Sequence, residues 1–259
     1  MTVNVGSTSF LDNRGYMWMI ELCIRLMSSA VIDPKKVKRE RRFIILNNMV
    51  DSPWAGEFGR SYVVRNSINA KELDSLYHKN FGISRSELNE EFLSGLDRSM
   101  SVLEVGCNIG LQLELLKNAG YQYLYGFDIS SFALNLSMAR VHANLLRSSA
   151  LYFPFTKDSF DMIFSSGVLI HISPKDLNRT LDEIYRCSRR YIWCYEYFAE
   201  KETEVEYRGK GGLLWKSNYI KLFTDRFPDL NIIRSKRLRY ISNDNIDIMF
   251  LIEKRLPKH

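Results

Sequence analysis

The chain is poor in several features that would place it at once. Only four of its 259 residues are Cys, at 23, 107, 187 and 194, and no two form a C-x-x-C pair. That spacing argues against a disulfide framework and against a zinc site built on Cys pairs, and it fits a reducing, cytoplasmic setting. No cluster of residues suggests another metal. Pro is scarce, at six residues, and no tract is of low complexity or repeats. Collagen-like, mucin-like and globally disordered chains are thereby disfavoured. Clean apolar runs are missing too. The most apolar stretch, residues 16–32, carries Glu21 and Arg25 at helical i,i+4 spacing. It is too short and too charged for a membrane span, and it lacks the basic segment that opens a signal peptide.

Charge of one sign is also nearly absent once a single segment is set aside. The net charge is +6, but residues 35–42 alone hold six Lys or Arg and one Glu. The basic balance therefore describes one short run. It does not describe a broad cationic face for nucleic acid. That run reads as a solvated segment after a packing helix, or as a polybasic contact for a membrane surface or partner. Met49 stands just before the part that reads as compact. Residues 1–48 are thus expected to be an N-terminal extension and 49–259 the main domain, with helices of about 50–98 forming a lid.

From about residue 100 the sequence alternates strands and helices. Ser101–Gly106 reads as a strand ending in Gly, and Leu111–Ala119 as a helix closed by Gly120. Tyr123–Asp128 is a second strand, and Ser130 caps a helix expected to reach Asn144. A strand at Phe160–Ser165 and a helix from Ser173-Pro174 to Cys187 follow, then a strand at Arg190–Glu196. A helix over 216–227 and strands at 231–239 and 246–253 close the chain. The alternation predicts βαβ units, an α/β fold and a mostly parallel sheet with right-handed crossovers. Tyr191, Trp193 and Tyr195 fall on one strand face and read as packing.

The informative segment is Val102-Leu-Glu-Val-Gly-Cys-Asn-Ile-Gly110, followed by Asp128 at the end of the next strand. Gly106, Cys107, Asn108 and Gly110 occupy the strand-to-helix turn, where glycine lets the backbone approach a ligand. Asp128 stands where a ribose diol would lie in a doubly wound sheet. The spacing is E-x-G-x-x-x-G. It is not the G-x-G-x-x-G of a pyrophosphate cradle, and a Walker lysine is absent. The turn suits a nucleoside without phosphates.

These residues resemble the first motif of class I S-adenosylmethionine-dependent methyltransferases. Further segments resemble the pseudaminic acid biosynthesis-associated methylases. They are Trp54-Ala-Gly-Glu-Phe-Gly59 with Tyr62, Arg65 and Asn66; Gly167-Val-Leu-Ile-His-Ile172; and Glu196-Tyr197 followed by Tyr207-Arg-Gly209. The resemblance covers about residues 50–254. It implies a Rossmann-like, doubly wound, seven-stranded sheet with an antiparallel last strand. It implies S-adenosylmethionine as cofactor and S-adenosylhomocysteine as product. Glu104, Gly106 and Gly110 would shape the methionine pocket, Asp128 would take the ribose hydroxyls, and Ile129 would pack on the adenine. Ser149 and Ala150 would border the adenine edge, and Gly167 and Val168 would flank the sulfonium. The family tends to carry an acid where this chain has Tyr152, in Tyr152-Phe-Pro-Phe155.

Several residues carry two readings. His171 is a buried core imidazole or a general base, since imidazole titrates near neutral pH. Glu196 is a paired sheet-edge acid or a group for a sugar hydroxyl or amine. The Gly-rich stretch Tyr207–Lys216 is a surface loop or a lid whose Arg208 and Lys216 meet an anionic acceptor. Tyr62, Arg65, Asn66 and Tyr197 are the remaining candidates for substrate contact. The expected activity is methyl transfer to oxygen or nitrogen of a small molecule, a sugar or nonulosonic acid intermediate. A nucleic-acid methyltransferase is the second reading, although Ser165-Ser-Gly-Val-Leu169 is unlike the Pro-Pro motif used on base amines. A protein that binds the cofactor without catalysis is the third.

Overall fold

The computed structural model describes residues 52–255. The expected N-terminal extension, its helix and its basic run lie outside these residues. The chain enters through a short 3-10 turn at Pro53–Ala55 and helices α1 (Glu57–Arg65), α2 (Ala70–Phe81) and α3 (Arg85–Leu93). Capping boxes start α2 and α3. Asn69 and Ser84 each accept the backbone N–H three residues on, from Glu72 and Glu87, whose carboxylates reach back.

The core then alternates β1 (Ser101–Val105), α4 (Leu111–Asn118), β2 (Tyr123–Asp128), α5 (Ser131–Arg140), β3 (Asn144–Arg147), β4 (Phe160–Ser166), α6 (Pro174–Cys187) and β5 (Ser188–Tyr197). A two-residue hairpin pair, β6 (Thr203–Glu204) and β7 (Trp215–Lys216), precedes α7 (Tyr219–Arg226). β8 (Leu230–Arg239) and β9 (Ile246–Lys254) finish the sheet. Seven strands lie in the order β3-β2-β1-β4-β5-β9-β8. The first five pair in parallel, and β9 runs antiparallel to both of its neighbours, β5 and β8. This is the expected Rossmann-like sheet, with β9 as its one antiparallel strand.

Alternate residues of each strand enter opposite cores, as a pleated sheet covered on both faces requires. Leu103, Ile163, Ile192 and Phe250 face a core closed by Leu181 and Ile184 of α6 and Phe223 of α7. Val102, Phe164, Trp193 and Leu251 face the other core, closed by Leu88 and Phe92 of α3 and by Leu113 and Leu116 of α4. Tyr191 and Tyr195 lie on that second face with Trp193, as their alternation predicts.

Two boundaries depart from expectation. The helix begun at Ser130 stops at Arg140, because Val141 is already extended and Asn144 opens β3. β3 has only four residues, Asn-Leu-Leu-Arg, too few to show a strand period. The last helix starts at Tyr219, since Trp215 and Lys216 pair with β6.

Candidate active site

The strand order reverses beside β1, so its carboxyl end opens a crevice. The turn after β1 bends at that crevice through three residues of positive φ, Gly106 (63°), Asn108 (48°) and Gly110 (75°). The two glycines serve different purposes. A Cβ on Gly106 would stand 2.8 Å from Cγ2 of Val168 across the crevice. A Cβ on Gly110 would stand 2.3 Å from Oγ of Ser137 on α5, so Gly110 permits helix packing. Gly106 lines the cavity and Gly110 does not. Cys107 is buried behind the turn against Gly126, also off the cavity wall.

Asp128 fastens this turn to β2. One carboxylate oxygen accepts the Asn108 N–H at 2.8 Å, and the other accepts the Ser130 N–H at 2.7 Å. Burial raises its pKa while these bonds lower it. Ile129, Ser149 and Ala150 line the same end of the cavity, whose volume is about 450 Å³. Buried oxygens near the turn without a protein partner include Oδ1 of Asn108 and Oε2 of Glu104. Glu104 is 3% exposed and its pKa is pushed well up by burial. It stands behind the wall.

The opposite wall follows β4. Gly167 (φ 66°) donates its N–H to the Tyr195 carbonyl at 2.8 Å, and Val168 leads into a 3-10 turn, Leu169–His171. Glu196, fully buried, holds this turn from beneath. Its carboxylate accepts from Ser165 Oγ at 2.8 Å, Val168 N–H at 3.2 Å and Ile170 N–H at 3.3 Å. It does not line the cavity, so the structure makes it a support for the wall. Burial pushes its pKa up to about 7. The sign follows: the folded protein holds this proton more tightly than the unfolded chain, so the contribution is full below about 4.5 and lost as pH rises through about 7. In urea titrations from pH 4.5 to 8, part of the stability lost with rising pH is expected to disappear in Glu196→Gln. A variant with the wild-type slope would show that Glu196 does not titrate in that window.

His171 does line the cavity. Its Nδ1 lies 2.7 Å from the Leu213 carbonyl, which can only accept. The proton therefore sits on Nδ1, and Nε2 keeps its lone pair. Burial depresses its pKa to about 4. The ring is also packed among aromatics. Trp54 stands 4.2 Å away by centroids, Tyr207 5.7 Å and Tyr62 6.3 Å. Tyr62, whose hydroxyl burial pushes up to about 12, lines the cavity with Trp54. Gly59 lets α1 seat on this turn, since a Cβ there would lie 1.9 Å from the Trp54 carbonyl oxygen.

Of the expected lid, the Trp54 turn and α1 reach the cavity, whereas α2 and α3 pack on the far face of the sheet. The other expected substrate residues stand apart from the cavity lining. Arg65 and Asn66 are exposed at the end of α1, where the Asn66 side chain caps the Tyr62 carbonyl. Tyr197 is half-buried, Arg208 is exposed, and Lys216 donates to Asn245 at 2.6 Å. Lining residues that sequence reasoning did not assign include Phe127, Ser148, Leu151, Lys175, Leu213 and Trp215. The β7 residue Trp215 had no signal of its own, because only the hairpin fold brings it to the site.

With that geometry in view, comparison with known proteins is direct. A family model described as a methyltransferase domain matches residues 102–190, from β1 to the start of β5. An uncharacterised protein of Methanocaldococcus jannaschii is 31% identical over 120 residues, 45% of this chain and 43% of that one. The chain spans about two fifths of the length of the curated relatives it matches. Among solved structures, magnesium protoporphyrin IX methyltransferase from Synechocystis with bound S-adenosylhomocysteine superposes with a TM-score of 0.60. It is 13% identical, over 81% of this chain and all of that one. A SAM-dependent methyltransferase from Methanosarcina mazei gives 0.51 at 20% identity, over 62% of this chain and 95% of that one. At these identities the likeness shows the fold, a Rossmann-like α/β sheet. No helix among the described residues is long and apolar enough to cross a membrane, and no group of His, Cys, Asp or Glu among them could hold a metal ion.

Proposed function

We propose that this chain transfers a methyl group from S-adenosylmethionine to an oxygen or nitrogen of a small acceptor, a sugar or nonulosonic acid being the class favoured. The observation that carries the reading is one cavity with two chemistries at its ends. At one end are Gly106, Asn108 and Asp128. At the other are neutral His171 and aromatic faces.

The first end fits the cofactor. Asp128 has lone pairs left for two ribose hydroxyls after its two backbone bonds. Asn108 Oδ1, buried and unpartnered, suits the methionine ammonium. Gly106 packs against Val168 so closely that an added Cβ would clash, and the two residues together form the cavity wall beside which the sulfonium would lie. When bound, the cofactor supplies an electrophilic methyl that needs no further activation. The chain's own task is then to hold the acceptor in line and exclude water.

His171 Nε2 is the group positioned to take the acceptor's proton. The Leu213 carbonyl fixes its tautomer. Trp54 and Tyr62 wall the space beside it and offer flat apolar faces of the kind on which a sugar ring can lie. Lys175 at the rim supplies a cation for an anionic substituent.

Thermal unfolding of the full chain with S-adenosylhomocysteine and, separately, with NAD tests the cofactor. A ligand at about 100 times its dissociation constant adds about 2.7 kcal/mol, and only the first should do so. Turnover against a panel of sugar and amine acceptors tests the reaction. His171→Asn is expected to lower kcat about 100-fold or more while S-adenosylhomocysteine binds as before. The wild-type rate should carry no acid limb from this group above about pH 5, because its imidazole protonates only near pH 4. A kcat unchanged in His171→Asn would remove the base from the mechanism.

A further inference from the structure

The segment between β3 and β4, residues 148–159, borders the nucleoside end of the cavity through Ser148, Ser149, Ala150 and Leu151. It belongs to no strand, so the sheet does not hold its middle. Three side chains of α6 do. Arg179, Glu183 and Arg186 follow i, i+4, i+7 spacing and share one helix face. The Arg179 guanidinium lies 3.6 Å over the Tyr152 ring. Glu183 Oε2 accepts the Phe153 N–H at 2.8 Å. Arg186 donates to the Phe155 carbonyl at 2.7 Å and to the Phe153 carbonyl at 3.2 Å. The two charges are themselves locked in a bidentate pair, with both bonds at 2.8 Å. Fork-to-fork pairing of this kind fixes orientation as well as distance.

We propose that the Arg179–Glu183–Arg186 stripe of α6 is a positioning device for the nucleoside end of the cofactor site, acting through the Tyr152–Phe155 backbone. The proposal rests on the cofactor reading above. None of the three lines the cavity, so their influence passes through the segment they grip. Ser148 transmits it at the near end. Its Oγ donates to the Tyr152 carbonyl at 2.9 Å, and its N–H donates to the Asp128 carbonyl at 3.1 Å. The gripped segment is thus tied at one end to α6 and at the other to the residue that faces the ribose. Tyr152 takes its place here. It offers Arg179 an aromatic face, and the contact between them is a cation–π one. The first turn of the same helix lines the far end of the cavity through Lys175 and Asp176. One helix therefore spans both ends of the site.

Calorimetric titration of the full-length chain with S-adenosylhomocysteine and with adenosine tests this, at a temperature where circular dichroism finds every variant folded. Arg186→Met is expected to weaken both ligands by the same factor, about tenfold, since the loss falls on the part they share. Glu183→Gln, which keeps an acceptor for Phe153, and Arg179→Met should each give a smaller loss in the same ratio. The Arg186→Met, Glu183→Gln pair should lose little more than Arg186→Met alone, because both break one clamp. Asp182→Asn, also on α6, which breaks an exposed ion pair with Arg226 of α7, should change neither affinity. Amide exchange at 152–155 should quicken in the clamp variants without ligand. Should Arg186→Met fail to fold, the two milder variants and the exchange rates decide. Unchanged affinities in variants of a wild type that binds would overturn the positioning role alone. A wild type that binds neither ligand would overturn it together with the cofactor reading.

Discussion

Asp128→Ala is expected to weaken S-adenosylhomocysteine binding by at least about 100-fold. Its carboxylate closes the turn as well as facing the nucleoside. Removing it strands the Asn108 and Ser130 N–H groups, which now donate at 2.8 and 2.7 Å. Hydrogen bonds to a charged group contribute about 1.5–3 kcal/mol each, so losing two costs about 3 kcal/mol or more. That cost falls on the shape of the turn, and affinity falls because the turn no longer holds its binding form and the ribose hydroxyls lose their acceptor. Asp128→Asn should retain part of the affinity, since its amide keeps one accepting oxygen. Calorimetry decides the matter. An Ala variant that binds like wild type would move the ribose away from β2.

Gly106→Ala is expected to lower turnover by at least about 100-fold while the fold survives. Two effects combine. At φ 63° a side chain costs about 1–2 kcal/mol in the left-handed region. The new methyl would also stand 2.8 Å and 3.1 Å from the two γ-carbons of Val168. Relief comes only by moving Val168 or the turn, and a misplacement of about 1 Å at a reacting centre is enough for such a loss. The second change Val168→Ala should restore part of the rate, because it frees the space but leaves the backbone strain. A single Ala variant with full turnover would mean that the packing of Gly106 on Val168 does not shape the reacting end of the cavity.

Much of this architecture was legible in the chain because local pattern and tertiary demand agree. The strand Tyr123–Asp128 and the helix Pro174–Cys187 fall where pattern and capping put them. Gly106 and Asp128 could be marked because a turn of positive φ and a carboxylate at a strand end leave traces in residue type. What stayed hidden depends on contacts distant in sequence. β3 is too short for a period, and β7 exists only because Thr203 and Glu204 pair with it. The Leu213 carbonyl that fixes the His171 tautomer could not be named, because any residue can supply a carbonyl. Arg65, expected at the site from the resemblance, and Arg208, expected from its Gly-rich basic stretch, are both exposed and neither lines the cavity. Glu196 reads as an acid at the ligand end of its strand, and its three bonds turn it inward to the wall.

The bond between His171 and Leu213 joins two segments distant in sequence. Leu213 belongs to the segment between β6 and β7, while His171 belongs to the wall after β4. If the segment lifts, the ring loses the partner that chooses which nitrogen holds the proton. The lone pair facing the cavity is then no longer assured. The tautomer of this imidazole thus depends on the placement of a segment 42 residues away in sequence.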